Sequence, residues 1–202
     1  MKAIVFDFGG VMTTSTMPQR VMAKCEELNI DFELIRLGFL KYRLQYDGGF
    51  ISLKEMYEKI FADNSIALSE ESFSAILEAD RASWLYRNER TLEWMKSLKG
   101  EGYKIGILTN MAPDFAPLFK EHFADFIALA DAMVISGEEH MYKPNREIYD
   151  LLCERIGLEA GELLFIDDVL TNIVGARRAG WKGIRFISNE QVECDFRHEL
   201  WK

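Results

Sequence analysis

Residues 3–10 of the chain read AIVFDFGG, and this stretch decides the fold. The apolar run from Ala3 to Phe6 is typical of a strand that is buried on both faces of a parallel sheet. The run ends at a single carboxylate, Asp7, and two glycines follow after one more residue. Because parallel sheets bind ligands beyond the carboxyl ends of their strands, this pattern predicts a site at the end of the first strand.

Four later segments are short apolar runs of the same kind: Lys104 to Leu108, Ala132 to Ile135, Leu163 to Ile166, and Gly183 to Ile187. Segments of helical length and helical apolar spacing separate these later runs. One of them follows Pro144, a residue that favours the opening of a helix. This alternation predicts an α/β fold with a doubly wound, Rossmann-like and mostly parallel sheet of five strands.

The segment between the first two predicted strands is different. Residues 15–88 contain no convincing strand, but Ser52 begins a capping-box sequence and Ser69 opens another helical pattern. A parallel crossover needs only about a dozen residues, so this segment is too long for one connection. We therefore expect a helical cap domain at residues 15–88, inserted into a core domain that comprises residues 1–14 and 89–202.

Composition narrows the class of protein. The chain has 202 residues, of which 49% are hydrophobic and 28% charged, as in ordinary globular proteins with a sizeable core. A net charge of −9 disfavours broad binding to nucleic acids or anionic membranes, because the overall field repels polyanions. No apolar run approaches the roughly 20 residues that span a bilayer. The three cysteines are scattered and indicate a reducing compartment. These features predict a cytoplasmic protein with neither a nucleic-acid nor a membrane partner.

Polar side chains follow other predicted strands at the same edge of the sheet. Thr109 and Asn110 follow the second strand, Asp167 and Asp168 follow the fourth, and Lys143 precedes the helix that leads into the fourth. Mg²⁺ prefers oxygen ligands and takes one or two carboxylates together with waters and phosphate oxygens. A hydroxyl, an ammonium group and backbone N–H groups can donate to the remaining phosphate oxygens. The set therefore predicts a site for a divalent cation and a phosphate.

Four segments in this order carry a resemblance to a known family: FDFGGV at 6–11, ILTN at 107–110, YKPNREIY at 142–149 and FIDDVLTN at 165–172. They resemble the four motifs of the haloacid dehalogenase (HAD) superfamily. The helical insert after the first motif resembles that of the helical-cap subgroup. Together with the core motifs, DGGFIS at 47–52 is similar to the bacterial sugar-phosphatase branch that includes α-glucose-1-phosphate phosphatase.

The resemblance implies a role for each matching residue of the reaction centre. Asp7 is the nucleophile that attacks phosphorus and becomes an aspartyl phosphate, which water later hydrolyses. Thr109 binds the transferring phosphoryl group, with Asn110 beside it. Lys143 offsets the negative charge of Asp7 and the phosphate.

The resemblance also implies a Mg²⁺ site. Its ligands are Asp7, Asp168, the backbone carbonyl of Gly9, and Asp167 either directly or through a water. Gly9 and Gly10 let the main chain approach the phosphate and the metal without an intervening side chain, which makes Gly10 a candidate phosphate contact.

In the predicted cap, Arg43, Tyr46 and Trp84 are candidate contacts to a sugar, although aromatic residues at helical spacing are as often part of a core. The predicted function is a Mg²⁺-dependent phosphatase that acts on a small phosphorylated metabolite, with a sugar phosphate as the first candidate. We expect a monomer or a homodimer.

Gly9 departs from the pattern of many family members, which carry an acid two residues after the nucleophile. Such general acid–base help is worth roughly 10²–10⁴-fold in rate. Two alternatives therefore stay open. A metal-independent 2-haloacid dehalogenase also uses an aspartate nucleophile, but the acidic pair Asp167–Asp168 disfavours it. A switch or phospholigand-binding protein without turnover is motivated by Gly9, but response-regulator receivers carry their acidic pair after the first strand and lack a helical insert.

Overall fold

The centre of the molecule is a parallel sheet of five strands, in a computed structural model that describes residues 1–14 and 19–200. The strands are β1 (Ala3–Phe6), β2 (Lys104–Thr109), β3 (Ala132–Ile135), β4 (Leu163–Asp167) and β5 (Lys182–Arg185). Their spatial order is β3-β2-β1-β4-β5, so β1 lies in the middle and the strand order reverses there. The predicted doubly wound, five-stranded α/β fold is confirmed.

Helices cover both faces of the sheet and occupy the connection between β1 and β2. The first four of them form the helical segment: α1 (Gln19–Glu27), α2 (Phe32–Asp47), α3 (Leu53–Asp63) and α4 (Glu70–Ser83). The remaining helices are α5 (Glu89–Gly100), α6 (Ala116–His122), α7 (Ala124–Ile127), α8 (Ser136–Glu139), α9 (Arg146–Ile156), α10 (Leu170–Arg178) and α11 (Asn189–Leu200). Within the described ranges, no helix is both long and apolar enough to cross a bilayer.

Strand β1 supplies side chains to two separate apolar cores. Ile4 and Phe6 belong to one cluster and Ala3 and Val5 to the other, as the alternation of side chains along a strand requires. All four residues are fully buried, which explains why the run is apolar at every position. Packing on both faces therefore holds rigidly the point at which Asp7 leaves the sheet.

Helices α1 to α4 pack around a third apolar cluster that comes almost entirely from this segment, with Ile35, Met56 and Ile60 among its members. Ser52 caps α3 in the predicted capping box, and Ser69 caps α4. The helical patterning of the segment is therefore confirmed.

The chain enters and leaves this helical segment at one place. Thr13 and Arg87 form an isolated antiparallel bridge, and the N–H of Asn88 donates to the carbonyl of Met12 at 2.9 Å. We propose that this pair of connections separates a core domain from a cap domain. The predicted cap range 15–88 starts at residues 15–18, and the core range 89–202 ends at residues 201–202; both stretches lie outside the described residues.

Two local predictions differ from the structure. Helix α9 begins at Arg146 with Asn145 as its N-cap, so Pro144 precedes the helix and belongs to the loop that carries Lys143. Strand β5 ends at Arg185, and Ile187 lies beyond it with 73% of its surface exposed. The apolar run in the sequence extends past the end of the strand, to a point at which the chain turns toward α11.

Candidate active site

A cavity of about 520 Å³ lies between the carboxyl edge of the sheet and the helical segment. From the core it is lined by Asp7, Phe8, Gly9, Asn110, Met111, Ala112, Phe115, Lys143, Pro144, Asp168, Val169, Thr171 and Asn172. From the helical segment and the residue after α4 it is lined by Arg43, Leu44, Tyr46, Asp47 and Trp84. The edge that the strand pattern predicted as a site therefore faces a cleft beneath the helical segment.

The three predicted acidic residues converge at this edge. One carboxylate oxygen from each of Asp7, Asp167 and Asp168 lies within 4.8 Å of the other two. Neighbouring strands bring them together, because Phe6 of β1 pairs with Ile166 of β4. Carboxylates at this separation repel one another, so the cluster needs nearby positive charge.

Lys143 supplies part of that positive charge. Its Nζ lies 2.8 Å from Oδ1 of Asp7 and 2.7 Å from Oδ2 of Asp167, and it donates to the carbonyl of Leu108 at 3.1 Å. Burial lowers the pKa of the ammonium group, but the carboxylates of Asp167 and Asp7 outweigh this and hold the pKa above its ordinary value. Lys143 is therefore a permanent buried cation that bridges two acids.

The Asp7 carboxylate has a defined orientation. Its Oδ1 accepts the N–H of Phe8 at 2.7 Å and also contacts Lys143. Among the described residues, both donors contact Oδ1. Oδ2 is therefore the oxygen that is available to a ligand. Burial raises the pKa of Asp7, Lys143 opposes this increase, and the charge of Asp167 adds to it.

The acidic pair divides into an anchored and an accessible member. Asp167 is fully buried: its Oδ1 accepts the N–H of Val169 at 2.7 Å, and the side-chain amide of Asn172 reaches its two oxygens at 3.2 and 3.0 Å. Asp168 is half-buried and lines the cavity. This geometry favours Asp168 as a direct metal ligand and Asp167 as an assisting one.

The side chain of Asn110 forms hydrogen bonds with both backbone polar groups of Lys143. The Asn110 amide donates to the carbonyl of Lys143 at 3.0 Å, and its Oδ1 accepts the N–H of Lys143 at 2.8 Å. Asn110 lines the cavity as expected, but these bonds give it a positioning role as well. Thr109 is the last residue of β2 and is buried, and it is not among the described residues that line the cavity.

The two glycines after Asp7 have different conformations. Gly9 lines the cavity with φ −62° and ψ 128°, which any residue can adopt. A β-carbon on Gly9 would lie 3.7 Å from the ring of Trp84. Gly10 has φ 69°, the left-handed region that favours glycine; it is buried and is not among the described residues that line the cavity. Its role as a phosphate contact stays a prediction.

The predicted cap contacts Arg43 and Tyr46 both line the cavity. Arg43 is already paired: its Nε lies 2.8 and 2.7 Å from the two oxygens of Asp47, and its guanidinium carbon lies 5.3 Å above the ring of Trp84. Sequence analysis did not identify Asp47 as a site residue. Its position four residues after Arg43 in a helical pattern was the available signal.

The apolar lining of the cavity was also missed. Leu44, Met111, Ala112 and Phe115 line it, and in the sequence these residues cannot be told from ordinary core positions. Trp84 was considered only as a possible contact, and it proves to be part of the wall.

The chemistry of the acidic cluster fits a hard divalent cation. The cluster offers oxygen ligands alone, from three side chains that approach one another closely. Mg²⁺ binds such carboxylates and completes its coordination with waters and phosphate oxygens. Asp7 and Asp168 would hold the ion, with Asp167 behind them.

The sheet carries a carboxylate after its central strand, with a lysine and an acidic pair beside it. This arrangement is typical of a class of α/β hydrolytic enzymes that carry an inserted helical segment. A family model described as haloacid dehalogenase-like hydrolase matches residues 1–180, and the chain belongs to this family.

Individual relatives include enzymes with different reactions. The chain is 28% identical over 186 residues to the sesquiterpene phosphatase astK of Aspergillus oryzae, across 91% of this chain and 88% of the relative. It is 24% identical over 195 residues to (S)-2-haloacid dehalogenase 4A of Burkholderia cepacia, across 92% and 82%.

Solved structures share the fold. A HAD family enzyme of Bacteroides thetaiotaomicron, solved as a magnesium complex, gives a TM-score of 0.75 at 22% identity and covers 98% of each chain. The same enzyme has been solved with magnesium and inorganic phosphate. The resemblance to the HAD superfamily is confirmed, and the narrower likeness to α-glucose-1-phosphate phosphatase stays a prediction.

Proposed function

We propose that the protein is a Mg²⁺-dependent phosphatase that hydrolyses a small phosphate monoester through an aspartyl phosphate on Asp7. The observation that carries the proposal is the buried cluster in which Lys143 contacts Asp7 and Asp167 while Asp168 lies within 4.8 Å. Three carboxylates and one ammonium leave this cluster with excess negative charge. A divalent cation balances that excess and makes the site receptive to a phosphate group.

The reaction has two halves, and Asp7 and Lys143 act in both. Oδ2 of Asp7 attacks phosphorus, the ester oxygen leaves with the bonding electron pair, and that oxygen takes a proton from water. A second water then attacks the phosphorus of the aspartyl phosphate, which releases inorganic phosphate and restores the carboxylate. Lys143 stabilises the negative charge throughout. The bound cation would supply electrostatic stabilisation of the phosphoryl oxygens.

The relatives leave the organic part of the substrate open. One relative is named as a sesquiterpene phosphatase, and the monoester of a sugar or of a sesquiterpene alcohol would undergo the same reaction at Asp7. The cytoplasmic location and the monomeric or homodimeric state also stay predictions.

A second candidate function is 2-haloacid dehalogenation, which the Burkholderia relative favours. It requires the same aspartate nucleophile but no metal. The acidic pair Asp167–Asp168 opposes it, because displacement of a halide from carbon has no use for a cation site. Metal-independent chloride release from 2-chloropropionate would favour the dehalogenase instead.

The test is phosphate release from p-nitrophenyl phosphate with Mg²⁺ and with EDTA. We expect release that EDTA removes and Mg²⁺ restores, and that falls at least about 10³-fold in Asp7→Asn because the nucleophile is lost. Asp150→Asn is the matched control, since Asp150 is exposed on α9 and pairs with Arg146.

Two outcomes would contradict the phosphatase. Release that is insensitive to both EDTA and Asp7→Asn would place the chemistry elsewhere. A stable aspartyl phosphate without turnover, after incubation with a phosphodonor, would favour the switch alternative.

A further inference from the structure

We infer that the group esterified to the phosphate is apolar, so that the substrate is the phosphate monoester of an alkyl, prenyl or aryl alcohol rather than of a sugar. This inference rests on the proposed phosphatase function and names its substrate class. It comes from the wall of the cavity beyond the acidic cluster.

The lining of the cavity combines charged groups with a large set of apolar side chains. Its acidic groups and Lys143 lie at the sheet edge, where they would hold the phosphate. The remaining wall consists largely of apolar side chains from the core and the helical segment: Leu44, Trp84, Met111, Ala112 and Phe115. A group attached to the bound phosphate would extend along this apolar wall.

The polar side chains of the wall are mostly engaged with one another. Arg43 is bound to both oxygens of Asp47. Asn110 is bound to the backbone of Lys143, and Asn172 is bound to Asp167.

Among the described residues of the lining, the hydroxyl groups of Tyr46 and Thr171 and the Nη1 and Nη2 groups of Arg43, which contacts Asp47 through Nε, are left to serve a substrate. A sugar carries several hydroxyl groups that lose water on entry, and a site without matching partners discriminates against them.

The region beside the nucleophile is apolar as well. Gly9 contributes no side chain, and Trp84 lies 3.7 Å from the position of a β-carbon there. The first carbons of the leaving group would therefore contact an aromatic ring.

The mouth of the cavity is apolar on two sides. Leu44 of α2 is 51% exposed and Val169, just before α10, is 44% exposed, and both line the cavity. A single exposed Leu or Val is ordinary. Leu44 and Val169 lie on different elements and extend the apolar wall toward the surface. This arrangement suits a hydrocarbon chain that extends outward.

The experiment compares butyl, hexyl and octyl phosphate with glucose 1-phosphate and glucose 6-phosphate, with Mg²⁺ and below micelle-forming concentrations. We expect kcat/KM to rise by up to about fourfold for each methylene group that becomes buried. We expect hexyl phosphate to exceed both sugar phosphates by at least about tenfold, because unmatched hydroxyl groups weaken binding.

A matched pair of variants locates the effect. Leu44→Ser should reduce the preference for octyl over butyl phosphate by about tenfold, since it removes an apolar contact at the mouth. Leu37→Ser should leave the preference unchanged. Leu37 lies on the same helix with 50% exposure but outside the described lining of the cavity.

The outcomes separate this inference from the phosphatase proposal. Hydrolysis that prefers sugar phosphates, ignores chain length, or responds equally to both variants overturns the inference and leaves the phosphatase intact. If no ester is hydrolysed, the phosphatase proposal fails. Calorimetry with octylphosphonate and methylphosphonate then decides the inference: tighter binding of octylphosphonate, lost in Leu44→Ser, supports an apolar site, and equal binding overturns it.

Discussion

Nζ of Lys143 lies 2.8 Å from Oδ1 of Asp7, and water reaches almost none of either side chain. The ion pair joins the end of the central strand to the loop before α9. Because Lys143 also contacts Asp167, it is the shared partner of two buried acids. The stability of the fold and the charge of the site therefore depend on the same ammonium group.

Removal of that ammonium should be costly. We expect Lys143→Met to lower the free energy of unfolding by about 3–5 kcal/mol at pH 7, because it leaves two buried carboxylates without their partner. Denaturant unfolding measures the change. In Lys120→Met, which breaks an exposed pair with Glu138, the loss should stay below about 1 kcal/mol. Equal losses in the two variants would contradict the prediction.

Asn110 should act through Lys143. Asn110→Ala removes two hydrogen bonds to the Lys143 backbone, and we expect kcat to fall by about 10–100-fold with a smaller change in KM, because the ammonium group loses its position. Steady-state kinetics at saturating Mg²⁺ tests this. The control is Asn64→Ala, whose side chain caps the carbonyl of Ile60 far along α3. A change confined to KM would instead indicate that Asn110 mainly binds substrate.

We expect the protein to tolerate an aspartate in place of Gly9 but not in place of Gly10. The φ of Gly9 is −62°, so Gly9→Asp introduces no backbone strain, and its β-carbon would make an ordinary contact with Trp84. We expect the variant to hydrolyse alkyl phosphates about 10–100-fold faster relative to p-nitrophenyl phosphate, because a poor leaving group gains most from a proton donor.

Gly10→Asp is the contrasting variant. Its φ of 69° predicts a loss of about 1 kcal/mol or more of stability. An unchanged ratio of the two substrates in Gly9→Asp would show that protonation of the leaving group does not limit the rate.

Asp80 should make the helical segment more stable in mild acid. Burial raises its pKa to about 6, although the Tyr57 hydroxyl and Arg43 act in the opposite direction. The folded protein therefore binds a proton at a higher pH than the unfolded chain, and this group adds stability as pH falls from about 7 toward 4. Comparison of unfolding at pH 7.5 and pH 5 should show this gain as about 1 kcal/mol more for wild type than for Asp80→Asn.

Asp63→Asn is the control. Hydrogen bonds from Lys41 and Tyr42 lower the pKa of Asp63 from 3.8, so its contribution is lost only below about pH 4, and this variant should keep the wild-type difference between pH 7.5 and pH 5. A wild-type pH dependence that Asp80→Asn leaves unaltered would show that this carboxyl is not the responsible group.

Much of the fold could be predicted because its physical signals are local. The four-residue run before Asp7 is apolar at every position because both of its faces are covered, and β4 follows the same rule from Leu163 to Ile166. The convergence of Asp7 with Asp168 followed from topology, since parallel strands place their carboxyl ends at one edge. The capping box at Ser52 was likewise a local signal.

The details of the site depended on contacts between distant loops. No sequence pattern indicates that Asn110 would bond to the backbone of Lys143, because the bond joins two loops with no fixed spacing. The apolar wall was hidden for a different reason: Met111 and Phe115 have the same burial and composition as core residues. They line a cavity because a space separates them from the helical segment, and the sequence gives no sign of that space.

The antiparallel bridge between Thr13 and Arg87 has a consequence for how such enzymes diversify. The chain enters and leaves the helical segment at adjacent positions. The segment can therefore be replaced as one unit without moving either of its ends. Transplanting the corresponding segment of another HAD enzyme at these points should change the alcohol that is recognised, while Asp7 and Lys143 keep their places in the core.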